Sequence, residues 1–501
     1  MQLLIPVRWG VLLLSLVMVV GQKLTAQKQN SPYSYVQMVE ALAHTGPHGP
    51  EHQVPKQQKR AMHFLQTHLN PEGKVFNHIA MNMQELQQLY LDTLGGNLLG
   101  EWHPMGPYTI EEDEADGEGT GRVNCLAFAT ASRWYAGTAG GGLWKTEQSG
   151  IYIPGQPYPW EPLTDNLPIL GVSGIVVNPG IPDELYILTG DGDGMTPFVS
   201  GSSQNYAAGD VPSIGVLKSA DGGLTWDSTS LTFTGDSLVR AYKLITYPGS
   251  VDTMFAATSE GLFRTDDGWM TPPDLVINST VFDVEFHPTD PQIIYAAGTS
   301  VLRRSTDGGV NFSNAGVGSF ADVNPSQSCR MAIAVTPALP DALYVIMAKL
   351  DTRGMLSLQF SADQAGSFIE FTDESYNVLC RDDPEDDPSG QGNYDLAIWA
   401  DPDVSSRFIV GGIDLWLNAF GSWSKLVDDN DSPPTYTHAD IHAIETNPFT
   451  GNLVVGTDGG VFHSDDGGYN WTNRGKGLSI TQFYHFDIHT DYIGFPTLGA
   501  G

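Results

Sequence analysis

Short acidic segments flanked by glycine, and cationic residues placed just before β-rich stretches, hold the groups of this chain most able to do chemistry. Asp191 and Asp193 stand in Thr-Gly-Asp-Gly-Asp-Gly, and Glu260, Asp414 and Asp458 occupy comparable places after short apolar runs. Arg122, Arg240, Arg330 and the run His438-Ala-Asp440-Ile-His442 lead into other such runs. Glycoside cleavage uses two carboxyl groups held several ångströms apart across a cleft, one protonating the leaving oxygen and the other acting as base or nucleophile. Asp191, Asp414, Asp440 and Asp458 are the candidates for that pair. Alternation along a strand puts His438, Asp440 and His442 on one side. Imidazole and carboxylate are metal ligands, but three alternating positions on a straight strand span too far to reach one ion. Hydrogen bonding between neighbouring units is the expected role of the trio, and no metal is assigned.

A second set of aspartates recurs in a fixed frame. Ser219-Ala-Asp221-Gly-Gly223-Leu-Thr-Trp226, Ser305-Thr-Asp307-Gly-Gly309-Val-Asn-Phe312 and Ser464-Asp-Asp466-Gly-Gly468-Tyr-Asn-Trp471 share it, and Ser361-Ala-Asp363-Gln-Ala-Gly-Ser-Phe368 is a worn copy. A carboxylate two residues after a small hydroxyl accepts backbone N–H bonds in a tight turn, glycine supplies the positive φ, and the closing aromatic anchors the next strand. These aspartates are therefore expected to be structural.

Such repetition requires an array of one supersecondary unit. Upstream of the turns, Pro179, Pro248, Pro288 and Pro337 are each followed seven residues later by an aromatic. The unit reads strand A, proline turn, strand B, loop, strand C, Asp turn, strand D. Units start near Val123, Gly174, Tyr242, Phe282, Met331, Tyr394 and Ile441, and a partial eighth opens at Gln482. Their spacing of about forty residues is that of a four-stranded propeller blade. The expected fold is all-β: a β-propeller of seven full repeats plus a partial eighth across residues 100–501, with insertions at 190–213, 349–356 and 371–392. Strand A lead-ins and B–C loops then share one face, where the first group of residues gathers, and the Asp turns lie on the other.

The 501 residues carry 41% hydrophobic content, 56 glycines and 32 prolines, which suits a large turn-rich fold. Residues 1–26, with Arg8 before an apolar run and Leu24-Thr-Ala26 after it, read as a secretory signal peptide. The run is shorter than a spanning helix needs, so no membrane insertion is expected. Residues 27–99 show helical spacing and read as a helical leader or pro-segment. A net charge of −34 excludes nucleic acid and anionic membrane as partners through repulsion. The acid runs 111–118 and 382–387 could bind calcium, but neither has an EF-hand layout, and solvated loops are expected. No other cofactor is implied. Of three cysteines, Cys329 and Cys380 lie just ahead of strand A in adjacent units and are the expected disulfide, with Cys125 a buried thiol.

The Asp turns, Tyr135-Ala-Gly-Thr-Ala-Gly-Gly-Gly-Leu-Trp-Lys145 and the run from Gly215 to Trp226 resemble the BNR or Asp-box repeat propellers. That superfamily includes sialidases, xyloglucan-degrading tandem propellers, sortilin-type ectodomains and photosystem assembly factors. Trp102-His-Pro-Met-Gly-Pro107, Gly121-Arg122-Val123 and Thr437-His-Ala-Asp-Ile-His-Ala-Ile444 are similar to large secreted bacterial members, often from Bacteroidota, with a sortilin-like N-terminal region. The resemblance implies a secreted or cell-surface protein. Sialidases place an Arg-Ile-Pro signature early, whereas Arg122 is followed by Val-Asn. Xyloglucan-degrading relatives place a catalytic Asp where this chain has Ala139, which has no proton to exchange. The reading is a non-catalytic propeller that binds protein or glycan on the face of B–C loops and strand A lead-ins. The alternative is a glycoside hydrolase with relocated carboxylates. Because the eighth unit stops after a second strand, the sequence also reads as the N-terminal part of a longer protein, with residues 100–107 closing the ring on the final blade.

Overall fold

A computed structural model describes residues 119–147, 158–194, 211–234, 237, 239–316, 324–373, 375–381, 383–427, 435–481, 486–490 and 496–500. The expected signal peptide, helical leader, closing segment 100–107 and acid run 111–118 lie outside these residues. Among the described residues no helix is long and apolar enough to cross a membrane.

Seven four-stranded antiparallel sheets form the ring of a β-propeller. Blade 1 holds β1 (Val123–Phe128), β2 (Arg133–Thr138), β3 (Leu143–Glu147) and β4 (Trp160–Pro162); blade 2 holds β5 (Val172–Asn178), β6 (Ile181–Thr189), β7 (Gly215–Ser219) and β8 (Asp227–Thr232). Blade 3 holds β9 (Ala241–Thr246), β10 (Met254–Thr258), β11 (Gly261–Thr265) and β12 (Asp274–Ile277); blade 4 holds β13 (Val281–Phe286), β14 (Ile294–Gly298), β15 (Leu302–Ser305) and β16 (Ser313–Asn314). Blade 5 holds β17 (Ser328–Ala334), β18 (Leu343–Lys349), β19 (Met355–Ser361) and β20 (Ile369–Asp373); blade 6 holds β21 (Ala397–Ala400), β22 (Arg407–Gly411), β23 (Leu415–Ala419) and β24 (Ser422–Val427). Blade 7 holds β25 (Ile441–Thr446), β26 (Leu453–Thr457), β27 (Gly460–Ser464) and β28 (Thr472–Asn473), and β29 (Phe486–Thr490) pairs only with β30 (Pro496–Ala500). Every predicted unit start falls within or beside the first strand of a blade; the sixth starts three residues later than predicted, at Ala397.

Apolar packing explains why the second strands lack polar alternation. Seven separate clusters of buried side chains lie one between each pair of neighbouring blades. Successive residues of β10 alternate between two of them: Met254 and Ala256 face blade 2, and Phe255 and Ala257 face blade 4. Both sides of the strand are thus core, and all five of its residues are buried. The last cluster joins Val123, Trp134 and Trp144 of blade 1 to Val454 and Val461 of blade 7. The ring therefore closes face to face between blades 1 and 7, each sheet being built from one continuous segment.

The recurrent turns are alike in atomic detail. In blade 4, the Ser305 hydroxyl donates to Asp307 Oδ1 (2.8 Å) and accepts from the Gly309 amide (2.9 Å), while Asp307 accepts from the Asn311 amide (2.9 Å). Two consecutive left-handed residues are needed, Gly308 and Gly309 at φ 72° and 81°. Blade 3 carries a fifth copy in which Thr265 and Asp267 make the same bonds, with Gly268 and Trp269 at φ 68° and 62°. Its aromatic sits at the fifth position of the turn instead of the eighth, so the sequence frame passes over it. In all five turns the aromatic packs toward the preceding blade: Trp226, Trp269, Phe312, Phe368 and Trp471 each join the cluster shared with it.

One expectation is corrected here. Cys125, Cys329 and Cys380 are all free thiols. Cys329 lies inside β17, where its Sγ donates to Lys349 O (3.1 Å), and Cys380 lies buried well before β21, in a turn closed by its amide onto Asn377 O (3.2 Å), so the two do not occupy equivalent places ahead of first strands.

Candidate functional site

Bulges reset the first strands where they enter the blades. In six blades the first strand slips register by one residue near its start, leaving Asn124, Ser173, Tyr242, Phe282, Cys329 and His442 without a cross-strand partner. The slip at His442, and a left-handed Asp440 (φ 62°), break the alternation assumed for the His438, Asp440, His442 trio. The strand itself begins only at Ile441. His438 turns its Nδ1 to its neighbour's carbonyl at Ala439 (3.1 Å), so the three do not converge.

The B–C loop of blade 2 supplies the centre of a polar network. Asp191 pairs with Arg122 and accepts from Asn124 Nδ2 (3.2 Å) and the Asp193 amide (3.1 Å). Arg122 also donates to Asp193 O (2.9 Å) and stands over the Tyr394 ring at 5.1 Å. Asp193 reaches Arg330 of blade 5 (2.8 Å), tying non-adjacent blades together. On the blade 7 side, Asp458 accepts from Tyr394 Oη (2.8 and 2.7 Å) and contacts His442 Nε2 (3.0 Å), while His442 Nδ1 lies 3.8 Å from Asp193. Gln391 Nε2 donates to Asp440 (3.1 Å).

Electrostatics sort these acids into two kinds. Burial opposes ionisation of Asp193 and Asp458, but Arg330 and His442 beside the first, and His442 and Arg122 beside the second, hold both below the usual carboxylate range. Burial also opposes the charge of His442, and the same two aspartates outweigh it and raise its pKa. Asp395 is fully buried and pushed well above the usual range by desolvation and by Asp440 and Asp458. Asp440, half-buried, is pushed up to about 6 by burial and the charge of Asp458. Asp395 and Asp440 are close enough to shift each other's ionisation, and since two ionised carboxylates cannot donate, a bond between them requires one of the two to be protonated.

Of the predicted residues, Arg122, Asp191, Asp193, Arg330, Asp440, His442 and Asp458 come together. Asp414 does not: it is buried in blade 6 against Lys425 (2.8 Å). Glu260 is exposed at the β10–β11 turn, its amide bonded to Thr258 Oγ1 (3.2 Å), and Arg240 bonds Ser259 through its backbone (3.0 Å). Sequence reasoning missed Asn124, Gln391, Tyr394 and Asp395. Residues 391–395 lead into β21 as Arg122 leads into β1, a signal hidden by reading 371–392 as an insertion. Deeper in the lumen Lys243 pairs with Asp283 (2.6 Å) and Glu285 (2.5 Å), with the exposed Glu445 close enough to feel their charges. Among the described residues no group of three His, Cys, Asp or Glu side chains is arranged to hold a metal. In the 382–387 loop, Asp383 and Asp387 accept backbone N–H bonds locally.

No protein-family profile matches the chain, and no curated protein matches its sequence. Among solved structures it is similar to the GH74 enzyme of Niastella koreensis (TM-score 0.54, 17% identity), covering 76% of this chain and 58% of that one. It is also similar to a GH74 xyloglucanase from Xanthomonas campestris (TM-score 0.46, 17% identity, 71% and 53% covered). A third similar structure is YCF48 bound to D1 peptide (TM-score 0.45, 12% identity, 73% and 97% covered). At these identities the likeness is one of fold, and the chain spans little more than half the length of the GH74 enzymes it matches.

Proposed function

We propose that this is a secreted, non-catalytic propeller of the Asp-box type that binds a protein or glycan ligand at the channel mouth. The observation that carries the reading is that the acids there are already engaged inside the protein. Asp191 is held by Arg122, Asp193 by Arg330, and Asp458 by Tyr394 and His442. Groups held from several blades at once present donors and acceptors in fixed positions to a ligand, the property recognition needs. The five matching turns support the Asp-box assignment. Titrating the protein against immobilised glycans and a peptide library tests it. Saturable binding lost in Asp458→Asn but kept in Asp307→Ala, on the opposite face, is expected; loss in Asp307→Ala alone would overturn the assignment of faces.

A second reading has one observation in its favour. Asp440 near 6 beside an ionised Asp458 is a pair of carboxyls with separated pKa values, the pattern that assigns an acid and a base in glycoside hydrolysis. It makes the hydrolase the alternative, with Asp440 as acid.

A further inference from the structure

At the seam where blade 1 meets blade 7, on the side of the Asp turns, lies a cavity of about 220 Å³. Its rim comes from two A–B turns, Ala131 and Ser132 in blade 1 and Thr450 and Asn452 in blade 7. None of its residues belongs to the channel-mouth network. Its walls include Trp134, Tyr158 and Trp160. Arg474 is sandwiched between two of these rings, 5.8 Å from the Trp134 centroid and 4.8 Å from that of Tyr158, so its charge is spread over aromatic faces. The remaining polar groups are neutral. His463, hydrogen-bonded to Asn452 (2.9 Å), is pushed down to about 4 by burial and by Arg474.

Size and lining narrow the ligand. At about 30 Å³ per water the cavity holds roughly seven waters' worth of space, below the range of about 300–1,000 Å³ typical of drug-sized ligands. One small ring fits. A pyranose has an apolar C–H face and an edge of hydroxyls, which match the edges that Trp134, Tyr158 and Trp160 leave exposed (8%, 5% and 7%) beside the Ser132 hydroxyl and the Asn452 side-chain oxygen, the nitrogen of which is bonded to His463. The net charge of −34 opposes the long-range approach of a strongly acidic ligand, and Arg474, the one charged group of the lining, is already engaged by Trp134 and Tyr158.

We propose that this seam pocket is a second binding site, separate from the channel mouth, that takes a single neutral sugar ring. The full chain would be titrated with the methyl glycosides of glucose, galactose and xylose and with methyl galacturonate glycoside sodium salt, read by saturation-transfer NMR and tryptophan fluorescence. At least one neutral glycoside is expected to bind, with affinity falling more than tenfold in Asn452→Ala. It should also be lost in Ser132→Tyr, which fills the cavity from its half-buried rim and can be checked for folding by near-ultraviolet circular dichroism. Asp440→Asn should leave this binding unchanged. Failure of all three neutral glycosides to bind, tighter binding of the uronate, or unchanged affinity in a folded Ser132→Tyr protein would each overturn the proposal.

Discussion

Asp440 combines a left-handed backbone, burial and the nearby charge of Asp458. Each of these costs stability when the carboxyl is ionised. Because its folded pKa is raised to about 6 from an ordinary value near 4, the native state binds the proton more tightly. Its favourable contribution is then complete below about pH 4 and is lost as pH rises through about 6. Asp440→Asn removes the repulsion, keeps an acceptor for Gln391 and tolerates positive φ better. It should raise stability at pH 7 by on the order of 1–2 kcal/mol more than at pH 4, as chemical denaturation at the two pH values would show. The turn aspartates have the opposite sign. Hydrogen bonds from the Asn311 amide and side chain and from Ser305 hold Asp307 down at about 2, and Asp221 and Asp363 are held likewise. Their contribution is present above about pH 4 and is lost as pH falls toward 2, so the unfolding midpoint should drop across that window. Ser305→Ala, which deletes a buried hydroxyl bonded to Asp307 and Gly309, should cost about 1–3 kcal/mol at neutral pH, measured by equilibrium denaturation.

At the scale of elements, the Asp turn is a lock between blades. The paired left-handed residues let the chain fold back so that the Ser or Thr hydroxyl caps the turn, and the aromatic then packs toward the preceding blade. In blade 5 that backbone is carried by Gln364 and Ala365 at φ 59° and 63°, a conformation disfavoured for L-residues by about 1–2 kcal/mol each. Gln364→Gly should raise stability by up to about 1 kcal/mol, since only an exposed bond to Asp341 is lost and part of the relief is offset by glycine's chain entropy. A fall in the denaturation midpoint would contradict this account of the turn. Four of the five turns, the strand order and the blade starts were legible because each depends on local residue types in a fixed frame. The bulges were not. A one-residue slip leaves no mark on the hydrophobic pattern, and it decides that His442 meets Asp458 while His438 does not.

For the whole molecule, the decisive feature is that seven apolar interfaces close a ring and leave a polar axis. Sequence could count the units, but it could not see that the blade 2 loop crosses to Arg330, a contact between residues 137 positions apart. Asp191 and Asp193 were therefore identifiable by type, while Tyr394 and Asp395 emerged only once the ring brought distant lead-ins together. Asp414 failed as a candidate because Lys425 of its own blade holds it away from the axis. The central claim is that the engaged network at the mouth binds without cleaving. Incubating the protein with a panel of polysaccharides, and measuring new reducing ends alongside bound protein on the same samples, tests it most directly. The account predicts saturable binding to a protein or glycan ligand and no new reducing ends across pH 4 to 8. Release of reducing ends that is abolished by Asp440→Asn, with a pH limb near 6, would contradict it.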